Sequence, residues 1–127
     1  MVGGRTGVNV GEISLMQLRK ELEKTWCKET AYPPLAHEWT PERPSLHQCY
    51  PTAYVVQRLF GGDIMRGRAR LTDGRSIIAF YNRLPCGEEV DLTADQYGNA
   101  LPVPPCKGNV VRYKRVNSRS NLLWRRL

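Results

Sequence analysis

Residues 48–60, QCYPTAYVVQRLF, run straight into Gly61-Gly62. Ala53, Val55, Val56, Leu59 and Phe60 recur at helical spacing but on more than one side, and a glycine pair is a common helix stop. The segment therefore reads as a buried helix, with Pro51 tolerated because it falls in the first turn. A helix this apolar needs a sheet face to cover it.

The segments after it supply that sheet. Ile64 to Leu71 and Arg75 to Leu84 read as strands joined by the turn Thr72-Asp73-Gly74, and Glu88 to Thr93 reads as a third after Pro85-Cys86-Gly87. Asn109 to Val116 adds a candidate strand and Asn117 to Leu127 a short closing helix. Upstream, Leu15, Leu18, Leu22 and Trp26 predict a first helix over 15–27, with Ser14 and Gln17 as its capping box. Pro33, Pro34, Pro41 and Pro44 exclude regular helix from 28–46 and predict a wrapping loop. The expected fold class is α+β: an N-terminal helix and a central cysteine-bearing helix on a small antiparallel sheet. The glycine-rich residues 1–11 are expected to be a mobile leader and 12–127 a single domain.

Charge is unevenly placed. Residues 97–127 hold seven Lys/Arg and no acid, which accounts for the whole net charge of +7. The basic segment 107–127 contains Arg112, Lys114, Arg115, Arg119, Arg125 and Arg126, with aromatic residues between them. It can serve as a solvated face or hold an acidic partner or nucleic acid, although no nucleic-acid motif accompanies it. Cys27, Cys49, Cys86 and Cys106 form no C-x-x-C pair, and neither His37 nor His47 has zinc-finger spacing from them, so no metal or other cofactor is expected. No apolar run is long enough to span a bilayer and no secretory signal precedes the domain; a cytoplasmic protein with reduced thiols and no membrane association is expected.

Cys49 opens the central helix. Helix-start N–H groups and the macrodipole favour thiolate over thiol, and the same donors can receive an oxyanion, with Gln48 as a side-chain helper. A cysteine there can equally be a small apolar residue under the core. A thiol nucleophile takes a histidine base held by a third group, and Asp91, among strand apolars, can be that group. With a loop of residues 85–87, Leu84 pairs with Glu88 and Asp91 with Tyr81, so Asp91 lies diagonal to position 79. The residue there is Ala79. Trp39 and Tyr50 are candidate walls of a substrate cleft; Trp39 can instead pin the proline-rich loop.

The strings WTPERPSLHQCYPTAYVVQRLFGG (39–62) and YNRLPCGEEVDLTADQY (81–97) resemble the YunG-like family of small bacterial proteins, over about residues 26–97. The family's Cys, His, Asp order on helix, strand and strand is similar to the transglutaminase and papain-like thiol hydrolase core. The resemblance implies Cys49 as nucleophile, Asp91 as orienting carboxylate and Gln48 as oxyanion helper, while Asn82, Thr93, Asp95 and Gln96 match the motif without an assigned role; Asn82 is a candidate cleft residue. Three positions depart from it: His47 stands for the usual glycine, Cys86 for the turn aspartate, and Ala79 for the histidine.

These features imply a cysteine hydrolase-like protein, a thiol peptidase, deamidase or transglutaminase-like acyl transferase acting on protein or peptide. It is expected to be inactive through Ala79, as a natural pseudoenzyme or by a histidine-to-alanine change. His47 is too close to Cys49 along the backbone to act as its base, and His37 is a remote substitute. The competing reading is a non-catalytic binding protein that recognises a protein or nucleic acid through its cleft or basic tail.

Overall fold

The computed structural model describes residues 10–112 and 117–127, with side chains from Leu15 onward. Helix α1 (Val10–Thr25) is followed by short 3₁₀ turns at Lys28–Thr30 and Pro33–Glu38, then α2 (Cys49–Phe60), β1 (Asp63–Arg70), β2 (Ser76–Arg83), β3 (Glu89–Val90), a 3₁₀ turn at Ala94–Tyr97, β4 (Asn109–Val110) and α3 (Ser118–Arg126). The four strands form one antiparallel sheet in the order β3-β2-β1-β4. The protein is thus an α+β fold in which helices, including the Cys49-bearing α2, pack on a four-stranded sheet.

Alternation along the strands divides the sheet into two faces. Ile64, Arg66 and Arg68 of β1 lie opposite Asn82, Phe80 and Ile78 of β2. Helix α2 covers the Ile64 end of this face: Tyr50, Ala53 and Ile64 pack with Phe80, and the Asn82 amide donates to the Ala53 carbonyl at 2.9 Å. The other face carries Met65, Gly67, Ala79 and Tyr81 and is met by the chain around residues 97–108. There the Tyr81 hydroxyl accepts from the Gly108 N–H at 2.6 Å, and a Cβ at Gly67 would crowd Cys106 Sγ at 2.7 Å. This close approach is what a glycine inside a strand permits.

The main core lies on the far side of α2, where Leu15 and Leu22 of α1 and Trp26 just after it meet Val55, Val56, Val90, Leu92 and Leu123. Burying each large side chain of this group contributes about 1.5–3 kcal/mol. Trp26 donates its indole N–H to Thr52 Oγ1 at 2.9 Å, joining α1 to α2 without leaving a buried donor unpaired. Helix α3 is capped by Asn117, whose side chain accepts from the N–H groups of Arg119 and Ser120. Arg58 of α2 stacks over the Trp124 ring at 4.4 Å.

Several sequence expectations need correction. Helix α1 starts at Val10, ahead of the expected 15 and within the 1–11 expected as a leader, so Ser14 falls inside the helix and not at its start; no proline interrupts 10–14. Residues 1–9 of that expected leader lie outside the described residues. The third strand is cut to two residues because the Asp91 N–H leaves the sheet to donate to Pro102 O at 2.8 Å. The strand expected over 109–116 pairs only at Asn109 and Val110, and 113–116 lie outside the described residues. Among the described residues no helix is long and apolar enough to cross a membrane.

Candidate active site

Cys49 is the first residue of α2, with Gln48 as N-cap. It sits at the open edge of β2, because β3 ends at Val90, opposite Asn82, and leaves the stretch before Asn82 without a strand partner on that side. Cys49 Sγ lies 4.0 Å from the Ile78 carbonyl and receives a hydrogen bond from the Phe80 N–H. The thiol is deep in the protein, yet some of its surface opens into a cleft of about 440 Å³ whose walls include Tyr50, Ile78, Phe80 and Arg119.

Burial works against the thiolate that a helix start favours. It pushes the Cys49 thiol up, against the pull of the Phe80 N–H, and the Asp91 charge adds to the rise more than the Tyr97 hydroxyl and Arg119 each take away. Desolvation outweighs the dipole when a thiol is packed at the floor of a cleft rather than standing in water.

Asp91 is 2% exposed. One carboxyl oxygen, Oδ1, accepts from both the N–H and the hydroxyl of Thr93, each at 2.7 Å. The other, Oδ2, is buried without a hydrogen-bond partner among the described residues. Burial raises this carboxyl from its ordinary 3.8 to about 7, against the two Thr93 hydrogen bonds. The hairpin register is the expected one: the Leu84 N–H donates to Glu88 O at 2.8 Å and Asn82 pairs with Val90, which brings Asp91 beside Tyr81 and diagonal to Ala79. Ala79 is fully buried on that same face.

Tyr97 is the neighbour that sequence reasoning missed. Its buried hydroxyl lacks a hydrogen-bond partner of full geometry and lies beside the thiol; burial first, then the charges of Cys49 and Asp91, push it far up. Asp91 and Tyr97 thus act on the titration of Cys49, and Cys49 and Asp91 on that of Tyr97. The motif residues that had no assigned role build the frame around them. Thr93 holds Asp91, Asp95 grips the buried Arg19 guanidinium through two bonds of 2.9 Å, and the Gln96 side-chain oxygen accepts from the His47 N–H at 3.0 Å. A paired carboxylate–guanidinium fork of this kind locks the 3₁₀ turn at Ala94–Tyr97 to α1.

His47 has φ +62°, a backbone region that favours glycine, which accounts physically for a glycine at the equivalent family position. Its ring is buried, and Nε2 is hydrogen-bonded to Glu38 Oε1 at 2.8 Å. Arg75 clamps Glu38 with two further bonds, and Arg75 first and His47 second hold that carboxyl down at about 2.

Other expected site residues fall elsewhere. Gln48 is fully buried, and its amide is engaged by the Cys27 carbonyl and the Thr30 hydroxyl, both at 2.8 Å; it ties down the loop and is directed away from an oxyanion. Trp39 is no cleft wall: its indole donates to Pro44 O at 2.8 Å and its ring packs on the main core, pinning the proline-rich loop. Asn82 spends its amide on α2 rather than on the cleft. Tyr50 does line the cleft, edge-on to Phe80 with ring centroids 4.9 Å apart.

The basic segment does not form one surface. Arg119 reaches the cleft, Arg126 Nη1 lies 3.2 Å from Cys27 Sγ, and Arg112 and Arg125 are exposed. Lys114 and Arg115 lie outside the described residues. Among the described residues no three His, Cys, Asp or Glu side chains cluster as metal ligands would.

No curated protein and no solved structure matches the chain. The YunG protein family does match it, over residues 14–126. That span takes in α1, the Cys49 helix, the whole sheet and α3, and the chain belongs to the YunG protein family.

Proposed function

We propose that this protein carries the site of a cysteine hydrolase or acyl transferase, of peptidase, deamidase or transglutaminase type, that lacks its base at position 79. The observation that carries the reading is the buried, half-satisfied carboxyl of Asp91 next to Ala79 and within electrostatic reach of the Cys49 thiol. A buried carboxyl oxygen left without a donor is costly, and such groups concentrate where function once needed or still needs them. An imidazole at 79 would supply that donor on one side and a proton acceptor for the thiol on the other.

With the imidazole present, the chemistry balances. The base takes the Cys49 proton, the thiolate forms a bond to the acyl carbon, and the oxyanion meets the N–H groups that open α2. Collapse breaks the carbon–nitrogen bond, the imidazolium protonates the leaving amine, and water or a second amine then displaces the thioester to restore the thiol. Without that imidazole neither proton has the carrier this mechanism needs, so the chain as it stands is expected to turn over little if at all.

The test is Ala79→His, assayed on peptide amides and activated thioesters, with Cys49→Ala in the same background. The expected gain is about 10²–10⁴ in rate. Since Ala79 is fully buried, the larger side chain costs about 1–3 kcal/mol of packing, and a thermal melt establishes that the variant folds. A folded Ala79→His variant whose thiol labelling and turnover match the parent would refute the reading in favour of a non-catalytic binding protein. The basic segment is the weaker basis for that alternative, because its described arginines diverge.

A further inference from the structure

Beyond the thiol, the cleft has a pronounced charge asymmetry. Arg66 and Arg68 of β1 and Arg119 of α3 line it, and no lining residue carries a carboxylate. Arg66 is exposed and has no ion-pair or hydrogen-bond partner among the described residues. Arg68 is also exposed, and among the described residues its guanidinium has one hydrogen-bond partner, the Ser76 hydroxyl, at 3.5 Å. Arg119 donates to Thr30 O at 3.3 Å, stands 5.8 Å from the Tyr32 ring, and is close enough to Cys49 to pull the thiol down. Elsewhere Arg75 and Arg83 are matched by Glu38, Asp73 and Asp63. The cleft thus sets Arg66 and Arg68 over a floor of Ile78 and Phe80 with no carboxylate among its lining residues.

We propose that this cleft takes an acidic peptide, its carboxylates on Arg66 and Arg68 and an apolar side chain on Ile78 and Phe80. The inference rests on the proposed function in placing the substrate acyl group beside Cys49. Arg66 and Arg68 alternate on one strand, so their side chains start roughly 6.6 Å apart. An extended peptide with acidic residues at alternate positions repeats at the same interval, and guanidinium forks suit carboxylates. A volume of about 440 Å³ suits a few side chains. Single-stranded nucleic acid fits less well, because it binds by stacking successive bases on several free aromatic faces, whereas Tyr50 is buried and packed edge-on with Phe80, which leaves the cleft one exposed ring, Tyr32, beside Arg119.

The test is isothermal titration calorimetry of the full chain at low salt, with three probes: the peptide acetyl-Glu-Phe-Glu-Ala-amide, its Gln-Phe-Gln counterpart, and a short oligothymidylate. The acidic peptide is expected to bind about tenfold or more tighter than its neutral counterpart, the difference of a charge-assisted contact. Arg66→Gln with Arg68→Gln should remove that preference, while Arg125→Gln with Arg126→Gln leaves it intact. All four side chains are exposed, so both double variants should fold, as a melt will register. Equal binding of the two peptides, an acidic preference that survives Arg66→Gln/Arg68→Gln, or tighter cleft binding of the oligothymidylate would overturn the inference. The two readings fail separately. Selective acidic-peptide binding alongside an inert Ala79→His variant removes only the hydrolase reading; turnover by Ala79→His without acidic preference removes only the substrate class.

Discussion

Neutralising Asp91 should stabilise the protein above neutral pH and flatten its pH dependence. The folded-state carboxyl is raised from 3.8 to about 7 by burial, so folding favours the protonated form. A raised carboxylate contributes stability that is complete below the unfolded value near 4 and is lost as pH climbs through about 7. The span corresponds to about 4 kcal/mol at most, a large part of the 5–15 kcal/mol that holds a domain together. Asp91→Asn keeps an oxygen for the two Thr93 donors, which now hold Oδ1 at 2.7 Å, and puts an uncharged amide where Oδ2 lies. Urea unfolding at pH 5 and pH 8.5 checks this. The parent should lose stability by a few kcal/mol between the two, and the variant should lose much less, overtaking the parent at pH 8.5. If the parent is as stable or more stable at pH 8.5, the carboxyl is ionised and satisfied in the folded state. The argument for a carboxyl waiting on a donor then fails with it.

The raised Cys49 thiol should react with iodoacetamide more slowly than the exposed Cys86 at pH 7.5, read by mass spectrometry of limiting labelling, and Ala79→His should reverse that order. Gly62→Ala should cost more than about 2 kcal/mol in urea unfolding, because φ is +83° and a Cβ there runs into the Arg83 carbonyl; a cost below ~1 kcal/mol would mean that the α2–β1 corner yields easily.

Local rules made the helices and the hairpins legible because each is specified by neighbours in the chain. Gly61 and Gly62 end α2 with φ of +81° and +83°, and Gly87 N–H closes the 85–87 loop on Leu84 O, which sets the register that brings Asp91 beside position 79. Cooperative packing decided the rest. The length of the third strand could not be read, since what ends it is Pro102, far along the chain, taking the Asp91 N–H. The thiol's surroundings are hidden for the same kind of reason. A helix start is a local feature, but the burial that opposes it comes from the strand of Ile78 and Phe80 packed against Cys49, and no spacing rule measures that. Gln48 and Trp39 were legible as polar and aromatic neighbours of Cys49, but not as residues facing the loop and the core.

The arginines of the cleft mark the opposite case, a signal that was present but masked by a stronger one. The basic C-terminal segment drew attention because charge there is concentrated along the chain, yet concentration in sequence does not make a surface when a helix sends Arg119 to the cleft and Arg126 toward Cys27. Arg66 and Arg68 are only two residues in a strand that also holds aspartate, so composition says nothing of them. Strand alternation puts both on the face of Ile78 and Phe80, and that part of the face lies open beyond the start of α2 at Cys49 and Tyr50. A field useful to a ligand therefore arises where the helix that begins with Cys49 stops covering the sheet. The same geometric fact exposes the thiol and the two guanidinium groups to one cleft, which ties the substrate class to the fold rather than to the basic tail.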